Sequence, residues 1–356
     1  MIGYGYWGPN LVRNFSEVPG AEVVAVSDLS EERLALARAR YPTLKTTTDC
    51  HALIADPAID AVVIMTPVSI HYPTALEALQ AGKHVLLAKP IATSSEHASR
   101  LIDEAQRHNR ILMVDHTFVY TGAVRRMKEL VDGGSLGRIC YYDSVRVNLG
   151  LFQHDVNVLW DLAVHDLSIM DYVLGAYPCA VAATGAAHVA GQPANMAYLT
   201  CFFEDSLLAH HHVNWLAPVK VRRTLLCGDR QMIVYDDLEP SEKIKVYDKG
   251  VTLKSSPERV SEALVGYRTG DMWAPQISLT EGLLVEAQHF LDCIRHQRQP
   301  LTDGQAGLRV VAILEAAAQS LAHRGQPVEL TRPQPLDIPH PRVAAQGGSA
   351  VAAVAI

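Results

Sequence analysis

The sequence has few cysteines, and none are paired. Six cysteines (50, 140, 179, 201, 227, 293) are scattered over 356 residues, and no two form a Cys-x-x-Cys pair. That spacing argues against a disulfide framework and a thiolate zinc site and fits idle or buried thiols in a reducing compartment. The expected location is therefore cytoplasmic, and no metal is expected. An excess of positive charge is also missing. Lys plus Arg total 31 against 38 Asp plus Glu, a formal charge of −7, which argues against nucleic acid as the partner. No run approaches the ~20 apolar residues of a membrane span. Met1-Ile2-Gly3 does not open a basic-then-apolar leader, and there is no internal repeat. What remains, 49% hydrophobic and 19% charged, is an ordinary globular chain of about two domains.

Residues 1–118 alternate short apolar runs (Ala21 to Ser27, Asp60 to Met65, Lys83 to Leu87, Arg110 to Val114) with helical stretches such as Tyr72 to Ala81 and Ser94 to His108. Ser30, followed by Glu31 and Glu32, reads as a helix start. Near-continuous apolar strands between amphipathic helices predict a parallel sheet covered on both faces. After a helix over Ala123 to Val131 the pattern changes. Extended segments at 138–148, 179–189, 196–204, 207–216, 219–227, 230–236 and 243–248 follow one another without helices, which predicts a largely antiparallel sheet. Helices are expected at 279–296 and 305–323, in a second domain over 119–332. Residues 333–356, Pro-rich and then Ala/Gly-rich, read as a poorly ordered tail.

Gly3, Gly5 and Gly8 form a G-x-G-x-x-G loop with Tyr6 and Trp7 inside it, and Pro9 suits the first turn of a helix. Asp28 follows twenty residues after Gly8, at the end of the second apolar run. Such a loop brings backbone N–H groups to a pyrophosphate at a positive helix end, and an acid in that place bonds the adenosine ribose hydroxyls. A carboxylate at 28 disfavours the extra phosphate of NADP, so NAD is the expected cofactor, although Arg33 is near enough in sequence to swing in. Gly3 is preceded by only two residues, where such a strand normally has ~5. Either the strand is short here or the true start lies upstream, and a shortened strand costs stability and loosens the phosphate loop.

Two segments carry candidate chemistry. Lys89 follows the apolar strand ending at Leu87, at the carboxyl end where open α/β sheets bind ligands; a solvated loop lysine is an equal reading. Asp161 and His165 stand at i and i+4 and share a face if helical. A carboxylate there would orient a histidine and raise its basicity for proton transfer, whereas a helix-end Asp and a half-polar core His fit the same letters. Hydride transfer needs a positioned cofactor, an acceptor for the hydroxyl proton and a cation for the alkoxide. The glycine loop, the His/Asp pair and the lysine match those needs.

These residues, with Thr66-Pro67 and His71, resemble the Gfo/Idh/MocA oxidoreductases over roughly residues 1–330. The resemblance implies an α/β N-terminal Rossmann domain plus an α+β C-terminal domain with a large, mostly antiparallel open sheet. That second sheet usually supports a homodimer or homotetramer. It also implies that Lys89 contacts the reacting hydroxyl and the nicotinamide side, that His165 is the acid/base, and that Asp161 helps bind and orient the substrate. Thr66, Pro67 and His71 would line the cofactor. Ala88 stands where the family has Glu, so altered lysine or cofactor positioning is expected. GYWGPN and FQHDVNVLWDLAVHDLSIMDYVLG look like members acting on a sugar or nucleotide-sugar substrate, including the UDP-N-acetylglucosamine 3-dehydrogenase type. Two other readings stay open: an NADPH-dependent ketosugar reductase, and a nucleotide-binding regulatory subunit without turnover.

Lesser candidates read as structure. His210-His211-His212 would alternate faces of a strand, with no Cys or nearby acidic partner to complete a metal site. Arg125 and Arg126 coat a helix. Asn148, Gln153, Asp155 and Asn157 suit either an exposed loop or a sugar's hydroxyls.

Overall fold

The computed structural model describes residues 1–150, 156–254 and 264–331. The expected tail, and Gln153 and Asp155, lie outside them.

The first half winds in the order α1 (Gly8–Glu17), β1 (Ala25–Ser27), α2 (Glu31–Arg40), β2 (Lys45–Thr47), α3 (Cys50–Ala55), β3 (Ala61–Ile64), α4 (His71–Gln80), β4 (His84–Ala88), α5 (Ser95–Arg107) and β5 (Leu112–Asp115). Pairings β1–β2, β3–β4 and β4–β5 are all parallel. Ile2 bridges the two blocks, pairing in parallel with both Ser27 and Ile64. The sheet is thus β2-β1-Ile2-β3-β4-β5, the dinucleotide-fold order when Ile2 is counted as the first strand. That strand is short, as the two letters before the loop imply. Ser30 caps α2 by accepting from the Arg33 N–H, as its sequence predicts.

Alternation along the strands sends side chains to two covered faces. Ile64, Leu87 and Val114 pack with α4 and α5, and with Leu308 and Val311 from the far end of the chain. Val63, Leu86 and Met113 pack with Leu11 and Phe15 of α1 and with Leu283, Ala287 and Phe290. Each such fully buried side chain contributes about 1.5–3 kcal/mol.

The second half begins with α6 (Gly122–Asp132). It continues through β6 (Ile139–Leu149), α7 (Val164–Leu174), β7 (Ala180–Ala186), β8 (Met196–Phe202), β9 (Leu208–Asn214), β10 (Leu216–Gly228), β11 (Met232–Asp236), β12 (Ile244–Tyr247), the hairpin β13 (Gly250–Lys254) and β14 (Leu264–Arg268), and β15 (Met272–Trp273). Then come α8 (Gly282–His296), α9 (Gly304–Ala322) and β16 (Val328–Glu329). Nine of these strands form one sheet in the order β15-β12-β11-β10-β6-β9-β8-β7-β16. It is antiparallel throughout except for the β6–β9 pair. One face is buried under α6, α7 and α9. On the other, Tyr198 stacks with His210 and His212, while His211 turns inward and bonds Ser144. No helix among the described residues is long and apolar enough to cross a membrane.

α8 and α9 return to the first sheet. Val114 donates its N–H to the Thr302 carbonyl at 2.7 Å, and Arg13 and Asn14 of α1 reach Glu281 at the head of α8. The carboxyl end of β4, the turn before α7 and the segment between β9 and β10 meet where Lys89, Asp161 and Trp215 bond one another.

Candidate active site

The glycine loop fits a dinucleotide on steric grounds. Gly3 has φ +93°, and a Cβ there would stand 2.4 Å from the Met65 carbonyl. One on Gly8 would stand 2.6 Å from the Gly3 carbonyl, whereas over Gly5 the nearest atom is Arg33 Nη1 at 3.7 Å. Gly3 and Gly8 thus let the loop close on itself, and Gly5 leaves its surface open. No side chain caps α1 and no acid occupies its first turn, so its positive end is available to a phosphate. Tyr6 and Trp7 project from the loop as an edge-to-face pair, 83% and 54% exposed.

Asp28 lies beside the loop with a structural task already in hand. Its Oδ2 accepts from the Tyr4 N–H at 2.7 Å and its Oδ1 from the Ser30 N–H at 2.8 Å. Arg33 Nη1 stands 3.5 Å from Oδ2. The carboxylate therefore ties the glycine loop to the end of β1.

His71 spans the other two predicted loops. Its Nδ1 faces the Pro90 carbonyl at 2.9 Å and its Nε2 the Thr66 carbonyl at 2.8 Å. Burial holds the imidazole below its ordinary pKa, so the neutral ring has one N–H for two acceptors. The Thr66 hydroxyl is buried without a partner, an orphan a bound dinucleotide would satisfy. Pro67 follows it, just before a short turn of 3-10 helix over Val68–Ile70.

The predicted chemical residues do converge, but with different partners. Residues Leu159–Ala163 form a widened π-turn leading into α7, started by Asn157, whose side chain accepts from the Leu159 N–H. Such turns are frequent at functional sites. Here the turn presents Asp161 to Lys89, whose Nζ donates to the Asp161 carbonyl at 2.8 Å and to Oδ1 at 3.3 Å. Asp161 Oδ2 accepts from the Trp215 indole at 3.0 Å. This corrects the expectation that Asp161 orients His165: an ammonium and an indole N–H occupy its oxygens. The expected rise in His165 basicity is reversed as well. Burial first, then the charges of Lys89 and Arg146, hold the imidazole well below its ordinary pKa. Its Nδ1 is buried without a partner. Burial likewise lowers the Lys89 pKa, opposed by Asp161.

Several participants carry no motif. Phe118 presents its ring to His165 at 5.1 Å between centroids, with Arg146 4.5 Å over its face. Arg146 forms a buried bidentate pair with Asp166 at 2.7 and 3.0 Å. His116 is 1% exposed with both ring nitrogens unpartnered, and burial lowers its pKa to about 3. Asp115 ends β5, and its charge acts on Lys89. The one sequence signal for this group was an acid directly after the apolar run ending at Val114. No set of three His, Cys, Asp or Glu side chains among the described residues is placed to hold a metal. Arg126 pairs with Glu129 along α6.

A parallel sheet with a glycine loop and a lysine at its carboxyl edge, joined to a domain whose Asp161 meets that lysine one helical turn before a neutral histidine, has the parts of a dinucleotide-dependent oxidoreductase. Comparison with known proteins makes the family definite. Residues 1–116 match the model of the oxidoreductase family's NAD-binding Rossmann fold, and residues 128–330 that of its C-terminal alpha/beta domain. The chain belongs to the Gfo/Idh/MocA family and is an NAD(P)-dependent oxidoreductase. It is 27% identical to the UDP-N-acetylglucosamine 3-dehydrogenase of Acidithiobacillus ferrooxidans, over 88% of this chain and 93% of that one. It is 26% identical to the scyllo-inositol 2-dehydrogenase (NAD(+)) of Bacillus subtilis, over 92% and 93%. A solved structure of the Acidithiobacillus enzyme superposes with a TM-score of 0.75, at 26% identity over 90% and 96%.

Proposed function

We propose that the chain oxidises a ring carbinol, or reduces the matching ketone, of a sugar or nucleotide sugar, with NAD(H) as the cofactor. Residues 1–118 would hold the dinucleotide and 119–332 the substrate. The observation that supports this reading is that Lys89 donates to the carbonyl of Asp161, four residues before His165, whose Nδ1 is buried without a partner. Gly3, Gly5 and Gly8 would hold the pyrophosphate against α1, with Tyr6 and Trp7 flanking it, Asp28 the adenosine ribose, and Thr66, Pro67 and His71 the nicotinamide end. When bound, the dinucleotide supplies the hydride acceptor or donor. His165 takes the hydroxyl proton as the carbinol is oxidised, since a neutral imidazole is a base without prior deprotonation. Lys89 stabilises the developing alkoxide, and Asp161 fixes the lysine and offers the substrate an acceptor. The relatives named for UDP-N-acetylglucosamine and inositol support a polyhydroxylated ring as substrate.

NAD is favoured over NADP because Asp28 is an acid paired to Arg33, which leaves no unpaired cation there for a ribose phosphate. A ketosugar reductase using NADPH is the second reading, favoured by the exposure of Arg33 above Gly5. The outer face of the nine-stranded sheet, with Tyr198, His210 and His212, is the surface we assign to a second copy in a homodimer or homotetramer. The test is fluorescence titration with NADH and NADPH, followed by turnover on UDP-N-acetylglucosamine and inositols. Tighter NADH binding and turnover abolished by His165→Ala are expected. NADPH binding at least as tight refutes the Asp28 argument, and unchanged turnover in His165→Ala refutes the mechanism.

A further inference from the structure

Ile2 is held between two strands. Its N–H donates to the Val63 carbonyl at 2.8 Å, and its carbonyl accepts from the Met65 N–H at 2.8 Å. On the other side the Met1 carbonyl accepts from the Ser27 N–H at 2.9 Å, and the Met1 amine donates to the Ala25 carbonyl at 3.0 Å. β1 and β3 therefore stand two strand spacings apart, about 9–10 Å. Upstream of Met1 that gap continues as a groove of about 490 Å³. Its lips run from Ala21 to Ala25 and from Ala58 to Ala61, and Phe15 of α1 with Phe290, Leu291 and Ile294 of α8 line it too. Backbone groups alternate in direction along a strand. The Val24 carbonyl accepts from Lys45 and the Asp60 carbonyl from His84, so those two residues turn to their outer neighbours. The Ala25 N–H and Val23 carbonyl on one lip, and the Val63 N–H and Ala61 carbonyl on the other, thus face the groove.

We propose that this groove is a strand site: it takes an extended apolar peptide segment of about four residues, parallel to β1 and β3, whose carboxyl end is joined to the Met1 nitrogen. Only an extended backbone offers donors and acceptors in alternation to both lips at once. The length follows from lips of four or five residues at ~3.3 Å each. The composition follows from the walls. Successive side chains of the segment point to opposite faces, one toward Phe290 and Ile294 and the other toward Ile59, so both call for β-branched apolar residues. At its upstream end the exposed Glu22 and Asp60 stand on the two lips and favour a cation there. The junction agrees with this. Burial lowers the pKa of the Met1 amine to about 5, whereas an amide nitrogen in its place makes the same bond to Ala25 with no charge to desolvate. A filled site lengthens the strand that carries the glycine loop, because Gly3 follows Ile2 directly and its N–H donates to Ser27.

The test compares three forms of the full chain: the 356 residues alone, the same preceded by Met-Lys-Val-Val-Val, and the same preceded by Met-Lys-Gly-Ser-Gly. The first extension supplies a strand, and the second supplies equal length and charge without one. Two readouts need neither cofactor nor substrate. The valine extension is expected to raise the melting temperature by about 5–10 °C. It is also expected to slow hydrogen exchange at the Ala25 and Val63 amides by at least about tenfold. The Gly-Ser extension does neither. An unchanged or lower melting temperature with the valine extension overturns the proposal, as does exchange at Ala25 and Val63 that stays fast. Equal gains from the Gly-Ser extension overturn it too, because a strand site discriminates by composition. NADH titration of the same three forms is the third readout, and it rests on the reading of the glycine loop as the dinucleotide site. The valine extension is expected to tighten NADH binding by at least about threefold, through a pre-organised loop. Unchanged NADH binding in a chain that gains stability and protection counts against that reading alone.

Discussion

Around the glycine loop the partners are near neighbours in sequence and mostly backbone groups. Tyr4 and Asp28 are 24 residues apart, Ser30 and Asp28 two, Thr66 and His71 five. Around His165 the partners are side chains from distant elements: Lys89 and Asp161 are 72 residues apart, and Asp161 and Trp215 are 54 apart. The first region is a rigid cradle set by chain geometry, where one substitution changes affinity by degrees. The second is a cluster of coupled charges in low dielectric, where removing one member shifts the rest.

The sharpest way to break this contrast is His165→Ala. Turnover is expected to fall by about 10³-fold, with NADH affinity unchanged; a matching loss of affinity would show that the two regions are one. Asp166→Asn comes next. It leaves Arg146 charged and buried without its counterion, which costs about 3–5 kcal/mol, read as a lower urea midpoint. A smaller effect per group follows from pH. His116 and His211 have folded pKa values lowered to about 3 and about 4, and His165 is lowered too, all first by burial. As pH falls below 6.5 the unfolded chain binds protons that the native state refuses. Their stability contribution is therefore full above pH 6.5 and is lost on acidification, by up to about 1.4 kcal/mol per pH unit for each group. Urea unfolding at pH 7, 6 and 5 checks the slope; a flat profile contradicts the burial of these rings. Asp28→Asn should have the smallest effect, weakening NADH binding about tenfold or less while narrowing the margin over NADPH, as read by paired titrations. A total loss of binding would mean that the tie from Asp28 to Tyr4 holds the whole loop.

The contrast also explains what was legible in the sequence. Gly3, Gly5 and Gly8 before a helix, the alternating apolar runs and the Ser30 cap are local patterns, and local sterics decide them. The long run of strands without helices was legible for the same reason. Asp161 and His165 were legible as polar groups in an apolar segment, but not as partners. Their nearness in sequence suggested a pair that Lys89 and Trp215 dissolve by offering better donors. Asp115 showed only as an acid after an apolar run, and Glu286 was invisible, because only the docking of α8 buries it. His116 is the extreme case, a buried ring flagged by no spacing at all.

The return of α8 and α9 to the first sheet has a consequence for synthesis. Leu86, Met113 and Val63 share their cover between Leu11 and Phe15 of α1 and Leu283, Ala287 and Phe290 of α8, and β5 donates the Val114 N–H to the Thr302 carbonyl. When residue 118 leaves the ribosome, the nucleotide-binding half is still open along one side. It must wait for nearly the whole chain, so it matures last although it is made first, and the nascent sheet exposes an apolar face throughout that interval.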